Sequence, residues 1–456
     1  MTLSISTPIL QQLAEYAHQI RLNNVPAEVA HQTQLNILDT IGCIVSGSKL
    51  PDAHTFMQAE LARGGHREAS VIGYSQKISI ESAARINAYM GDMFELNDLI
   101  GGHASIAVVP AALALAESIG ASGAQLIEAI VAGTEVLCRI HGGFYAHQKP
   151  FTETAMVQVT LSSACGAAVA ASKLLGLNQE QTLHAMAIAG ALTSWCPAEL
   201  IFGEGSSIKP VLFGGWPGAT GLQAAHYAKM GLKGATRLLE SPIGYYTTVA
   251  RTYDLKIILD FDTWRLASPR RKLHACCGYM HSAIDTLAKL RNQGLLNNTQ
   301  KYRIYLPAYI IPAVSKKGQT PKDGNEARFN IEYCLALAAM EADVITPEHS
   351  LECLTIASRP EIFELMKIFE VIEEPQFGHY RFSRVEVLGA DGKLITSVEN
   401  DAPRGTEWNP MTDDEVINKF KQLTRHARKP DQIQNYLQKF ETLPQQKTIE
   451  WLLQSL

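Results

Sequence analysis

From Pro8 to about Arg251 apolar residues recur at three- and four-residue spacing, the period of helices that bury one face. In Ile9–Arg21 they fall at Ile9, Leu10, Leu13, Tyr16, Ala17 and Ile20. Pro26-Ala27-Glu28 opens a second helix, because proline suits a first helical turn. Two charge-free runs, Thr154–Ser172 and Ala185–Ala198, read as helices inside a large helical body. The first carries Gln158, Thr160, Ser162 and Ser163, and the second is shorter than the ~20 apolar residues of a membrane span. Small residues crowd Ala164–Ala171 and Gly218–Ala228, where helix axes can approach closely.

The period changes after about Ser268. Tyr302–Leu306 alternates with period two, and so does Phe382–Leu388, followed by turn residues Gly389-Ala390-Asp391-Gly392 and a returning strand at Lys393–Val398. Helical stretches at Met280–Leu290, Ala327–Ala342 and Pro360–Phe369 lie between the strands. The tail from Thr412 is helical again, with Thr412 capping Asp413-Asp414-Glu415. The expected fold class is mainly α: an all-α domain over residues 1–265 with 399–456, and an inserted α+β domain over 266–398.

Composition narrows the function. Hydrophobic residues make up 46% of the chain and charged residues 19%, which suits a core-rich globular protein. Forty basic against forty-five acidic side chains leave −5, so there is no global attraction to nucleic acid or to an anionic membrane, and neither is expected as a partner. Eight scattered cysteines without a C-x-x-C pair indicate neither a disulfide framework nor a zinc site. With no basic and apolar leader at Met1–Ile5, a cytoplasmic location is expected. The G-x-S-x-G, P-loop, H-E-x-x-H and dinucleotide motifs are missing, which removes most hydrolase and nucleotide readings.

Four segments carry chemistry. Glu95-Leu96-Asn97-Asp98, then Gly101-Gly102-His103-Ala104-Ser105, place two carboxylates and an imidazole before an apolar helix, Ile106–Glu117, whose free N–H groups favour an anion; capping by Ser105 is the structural alternative. Lys209 sits between glycine turns at Gly203, Gly205 and Gly214-Gly215, a setting for a substrate carboxylate or a base. Arg270-Arg271-Lys272 concentrates three cations at the domain junction, ahead of Cys276-Cys277, of which Cys277 is a minor candidate nucleophile. The fourth, Ala327-Arg328-Phe329 through Tyr333, gives an aromatic stripe of the kind that usually builds core.

These segments resemble the MmgE/PrpD family over nearly the whole chain. The resemblance rests on Leu13-Ala14-Glu15-Tyr16, Leu38-Asp39-Thr40-Ile41-Gly42-Cys43, Val109–Glu117, the Lys209 segment, Lys272 with Cys276 and His281, and Glu326-Ala327-Arg328-Phe329. Pro403-Arg404-Gly405, Asn409-Pro410-Met411-Thr412 and Lys419-Phe420 extend it to the tail. It implies a helical domain plus a smaller α+β lid, a homodimer, and a site between the domains for a small polycarboxylate substrate, with neither a metal nor an organic cofactor. By matching position, His103, Lys209, Lys272 and Tyr333 become catalytic candidates, and Glu95, Asp98, Tyr145, His147 and Arg271 substrate-binding candidates.

The departures from the family pattern steer the expectation. Glu95-Leu96-Asn97-Asp98-Leu99 stands where lyases of the family carry Asp-x-Asp/Asn-Asp-Thr, and Met156–Thr160 lacks their histidine, for which His147 or Tyr145 is the candidate substitute. The leading expectation is therefore an isomerase, an epimerase of the iminodisuccinate type that abstracts a proton α to a carboxylate. The alternatives are a 2-methylcitrate dehydratase-like or cis-aconitate decarboxylase-like lyase, and then a non-catalytic helical binding protein.

Overall fold

The computed structural model describes residues 6–202, 207–268, 270–296 and 301–454. The leader reading at Met1–Ile5 and the glycine turn at Gly203 and Gly205 lie outside them. Eight principal helices build the body: α1 (Ile9–Gln19), α2 (Ala27–Gly47), α3 (Ile80–Asp92), α4 (Ala104–Ser118), α5 (Gly123–Tyr145), α6 (Thr160–Leu174), α7 (Gln179–Leu192) and α8 (Trp216–Lys229). Helix α6 is central and packs against α5, α7 and α8. Its small residues make this possible: a Cβ at Gly166 would stand 2.8 Å from the Gly133 carbonyl of α5.

The charge-free runs are shorter as helices than their composition suggests. Ala155 is left-handed and closes a single turn, Phe151–Thr154, and Met156 then bridges Pro197, so α6 starts only at Thr160. Helix α7 stops at Leu192 because Thr193 turns extended ahead of Pro197.

The smaller unit holds α9 (His281–Asn292), α10 (Ile331–Met340) and a sheet of β1 (Lys301–Leu306), β2 (Phe369–Glu373), β3 (Ser383–Leu388) and β4 (Leu394–Asn400) in the order β2-β1-β3-β4. The β3–β4 pair is the hairpin expected from the turn residues. Strand β1 pairs antiparallel with β3 and parallel with β2, with Tyr302 opposite Phe369. Strand β2 escapes the sequence reading, which runs a helix to Phe369; that helix ends at Met366. The stretch Ala327–Ala342 is also broken: Asn330 is extended and its side chain accepts the Tyr333 N–H, capping α10.

The tail returns to the body as α11 (Asp413–Thr424) and α12 (Pro430–Glu441). Thr412 caps α11 in a box with Glu415. Helix α11 packs on α2, and Phe420, Leu423, Tyr436 and Phe440 join the core of the first helices. The second core, built around α9, α10 and the sheet, also takes in Ala88, Ile106, Val159 and Phe213 from the body. The two units therefore meet across an apolar seam.

Candidate active site at the seam between the two units

Two lysines and two carboxylates converge at this seam. Lys209 Nζ donates to Asp92 Oδ2 at 2.9 Å and to Glu95 Oε1; Lys272 Nζ donates to Glu95 Oε2 at 2.5 Å. All four side chains are buried, and each lysine is only 1% exposed. Burial pushes the Asp92 carboxyl up to about 6 against the pull of Lys209. Asp92 also ends α3, where the helix dipole disfavours negative charge. Burial acts the same way on Glu95, but Lys209 and Lys272 outweigh it and hold Glu95 well below the usual carboxylate range. Burial would discharge Lys209, and Asp92 and Glu95 reverse that, so it stays an ammonium ion. The Phe213 ring lies 4.6 Å from its Nζ and Phe329 5.7 Å away.

His103 completes the group. Asn97 Nδ2 donates to Asp92 Oδ1 at 2.6 Å, which turns Asn97 Oδ1 toward His103 Nδ1, also at 2.6 Å. An amide oxygen only accepts, so Nδ1 carries the proton and Nε2 keeps its lone pair. Burial and then Lys272 lower the imidazole pKa well below its ordinary value, so His103 is neutral near pH 7. The result is a base held beside two ammonium groups. Asp92, Glu95 and His103 also bring three potential metal-ligand atoms within 4.8 Å of one another, but the lysine ammoniums lie on the same carboxylates, and a divalent cation would enter against their charge.

The backbone is strained where these residues stand. Glu95 and His103 are both left-handed, at φ 52° and 76°, and Gly101 and Gly102 precede His103 in the same region. At Gly102 only glycine fits, because a Cβ would come within 2.7 Å of His141 Cε1 and 3.1 Å of Val159. His141, on α5, is 7% exposed, its Nδ1 is buried without a hydrogen-bond partner, and burial and Arg270 lower its pKa to about 4.

The structure thus brings together Glu95, His103, Lys209 and Lys272 among the candidates and adds Asp92, Asn97 and His141. Other candidates are engaged elsewhere. Asp98 accepts both the N–H and the hydroxyl of Ser105, so the carboxylate rather than the serine satisfies the start of α4; burial raises its pKa to about 7. The three clustered cations diverge: Arg270 pairs with Glu407, Arg271 donates twice to Gln32, and only Lys272 reaches Glu95. Tyr333 donates to the His349 carbonyl within the smaller core, and Phe329 is the aromatic side chain that faces Lys209. His147 is exposed, with its backbone tied to Phe144 and Arg251. The Tyr145 ring packs 5.3 Å from that of His141 and 6.5 Å from that of His379. All eight cysteines are free and buried, and burial lifts the Cys277 thiol to about 12, which leaves it a poor nucleophile.

A helical body joined to a small α+β unit, with a lysine–carboxylate centre and a neutral imidazole at the seam, places proton donors and an acceptor beside two buried ammonium groups. The chain matches the MmgE/PrpD N-terminal domain over residues 11–258 and the MmgE/PrpD C-terminal domain over residues 274–443, and it belongs to the MmgE/PrpD family. It is 24% identical over 467 residues to the cis-aconitate decarboxylase-like protein oryM of Aspergillus oryzae, covering 95% of each chain. To the cis-aconitate decarboxylases of Aspergillus terreus and Homo sapiens it is 23% and 24% identical, covering 91% of this chain and 89% and 87% of theirs. No helix among the described residues is long and apolar enough to cross a membrane.

Proposed function

We propose that this chain is a cofactor-independent lyase that decarboxylates a small unsaturated tricarboxylate of the cis-aconitate kind. One observation carries the proposal: two buried ammonium groups converge on a single carboxylate, Glu95, beside a neutral imidazole. Lys209 uses two donors and Lys272 one, so three N–H groups remain for a substrate carboxylate among the described residues. When the bond to the departing carboxyl group breaks, carbon dioxide leaves and the electron pair delocalises toward a retained carboxylate. The lysines stabilise that charge where it develops. One proton then enters at carbon from an ammonium group, and His103 Nε2 relays its replacement.

The sequence departures weigh less against a lyase once the structure is considered. Met156–Thr160 ahead of α6 holds no histidine, but His141 brings an imidazole from α5 to Gly102, where a Cβ would stand 2.7 Å from its Cε1 and 3.1 Å from Val159. The cis-aconitate decarboxylase relatives, matched over most of both chains, support the same reading. An epimerase remains the second reading, because His103 as base and a lysine ammonium as acid also suffice to remove and return an α-proton.

Incubation with cis-aconitate in D₂O, followed by NMR, tests the proposal. Release of carbon dioxide with one deuterium per product is expected. Inertness toward cis-aconitate, with deuterium washed into a single stereoisomer of iminodisuccinate, would establish the epimerase instead. Replacing Lys209 or Lys272 by Met is expected to lower kcat/KM by about three orders of magnitude, the scale of losing a preorganised electrostatic group. A homodimer is part of the same reading: Leu192, Trp195, Trp216, Tyr227, Met230 and Leu232 are exposed on and beside the adjoining helices α7 and α8. Sedimentation equilibrium is expected to give twice the chain mass.

A further inference from the structure

Charge at the site balances only while Arg328 is left out. Asp92 and Glu95 are matched by Lys209 and Lys272. Arg328 belongs to the smaller unit, where its carbonyl accepts the Cys277 amide at 2.9 Å, five residues along from Lys272. The ring of the next residue, Phe329, lies 5.7 Å from Lys209 Nζ. Among the charges Arg328 feels, Glu95 and Asp92 rank first, after the burial that lowers its pKa. Even so, no carboxylate among the described residues comes within ion-pair reach of its guanidinium, and its Nε is buried without a hydrogen-bond partner. Arg271 Nε is unpartnered too, but its other two nitrogens donate to Gln32, and Arg270 is bidentate on Glu407; no such side-chain bonds hold the Arg328 guanidinium among the described residues. A sheltered guanidinium with an unsatisfied donor is unfavourable unless a ligand completes it.

We propose that Arg328 binds a second carboxylate of the substrate, as a planar fork on the smaller unit facing the lysine pair. This assignment rests on the polycarboxylate reading above. Two-point attachment selects for at least two carboxylates and draws the two units together around the substrate, since Glu95, His103 and Lys209 stand on one and Lys272 and Arg328 on the other.

Calorimetric titration with tricarballylate, a saturated tricarboxylate that lacks the double bond through which the electron pair left by carbon dioxide would delocalise, tests it. Arg328→Gln is expected to weaken binding by about ten- to a hundredfold, the range for a lost charged hydrogen bond, and Arg328→Lys by less. Should either variant fold poorly, phenylglyoxal labelling of the wild-type protein gives a second reading: tricarballylate is expected to protect the Arg328 peptide. Affinity unchanged in Arg328→Gln, or labelling of Arg328 indifferent to tricarballylate, would overturn the assignment while leaving the polycarboxylate reading intact. Failure of the wild-type protein to bind tricarballylate would remove that reading and this assignment together.

Discussion

His141 shows how one side chain can be invisible in sequence and central in space. It lies inside the apolar pattern of α5, and nothing beside it in the chain marks it as polar machinery; only the approach of Gly102 from another loop does. Its neutrality has a measurable consequence. The folded pKa of about 4 lies below the ordinary histidine value of about 6.5, so below pH 6.5 the unfolded chain takes up a proton that the native protein refuses. Stability from this group is therefore fully present above pH 6.5 and lost as the pH falls. Between pH 7.5 and 5 the loss is about 2 kcal/mol. Urea unfolding at the two pH values checks this: His141→Gln is expected to lose stability on acidification by about 2 kcal/mol less than the wild type, and an identical loss would mean that His141 protonates as readily in the native protein as in the unfolded chain. Asn97 and Asp92 were missed for the same reason. Their roles lie in a chain of hydrogen bonds to His103 that spacing along the sequence does not encode. Glu95, His103, Lys209 and Lys272 were legible because glycine turns or a family motif set them apart.

Close helix crossings are the element-scale counterpart. Gly133 on α5 and Gly166 on α6 face each other's carbonyls, and a Cβ at Gly166 would also stand 2.8 Å from Leu137 Cβ. The obstruction is partly backbone, which cannot swing aside, so Gly166→Val is expected to destabilise by about 3 kcal/mol, the upper range for overpacking. A lower urea midpoint at unchanged slope would show it; an unchanged midpoint would mean that the helices can separate freely. The small-residue runs did announce these contacts, and the period-two segments announced β1, β3 and β4. What the pattern did not reveal were the interruptions. Asn330 halts a helix that Phe329, Tyr333 and Leu337 would continue, because its side chain caps α10 better than it could serve inside a helix. Strand β2 was hidden because Phe369 also fits the end of the preceding helical pattern, and its parallel pairing with β1 depends on residues more than sixty positions away.

At the scale of the whole molecule, the returning tail closes the site from behind. Lys419 on α11 is 6% exposed and donates to the carbonyls of Leu96 at 2.9 Å and Lys272 at 2.8 Å, while its ammonium lies 2.7 Å from Asp39 on α2. One buried cation thus ties the loop that carries Glu95 to the segment that carries Lys272. Leu96, Leu273 and Lys419 also line a crevice of about 480 Å³ that neither Lys209 nor Lys272 lines. The sequence made Lys419-Phe420 part of the family resemblance without showing what the lysine does. Lys419→Met alone would strand a buried Asp39 carboxylate, a loss of about 3–5 kcal/mol that confuses stability with function. Pairing it with Asp39→Asn removes the stranded charge, so the melting temperature of the double variant is expected to recover most of the loss. Activity is not expected to recover with it, because the two carbonyls remain untied and Glu95 no longer meets Lys272 at a fixed distance; kcat should stay at least about tenfold down, as expected when catalytic groups are misplaced by a fraction of an ångström. A double variant that regains both its melting temperature and its full kcat would show that α11 only buries apolar surface, and that the spacing of the site is set by the two units alone.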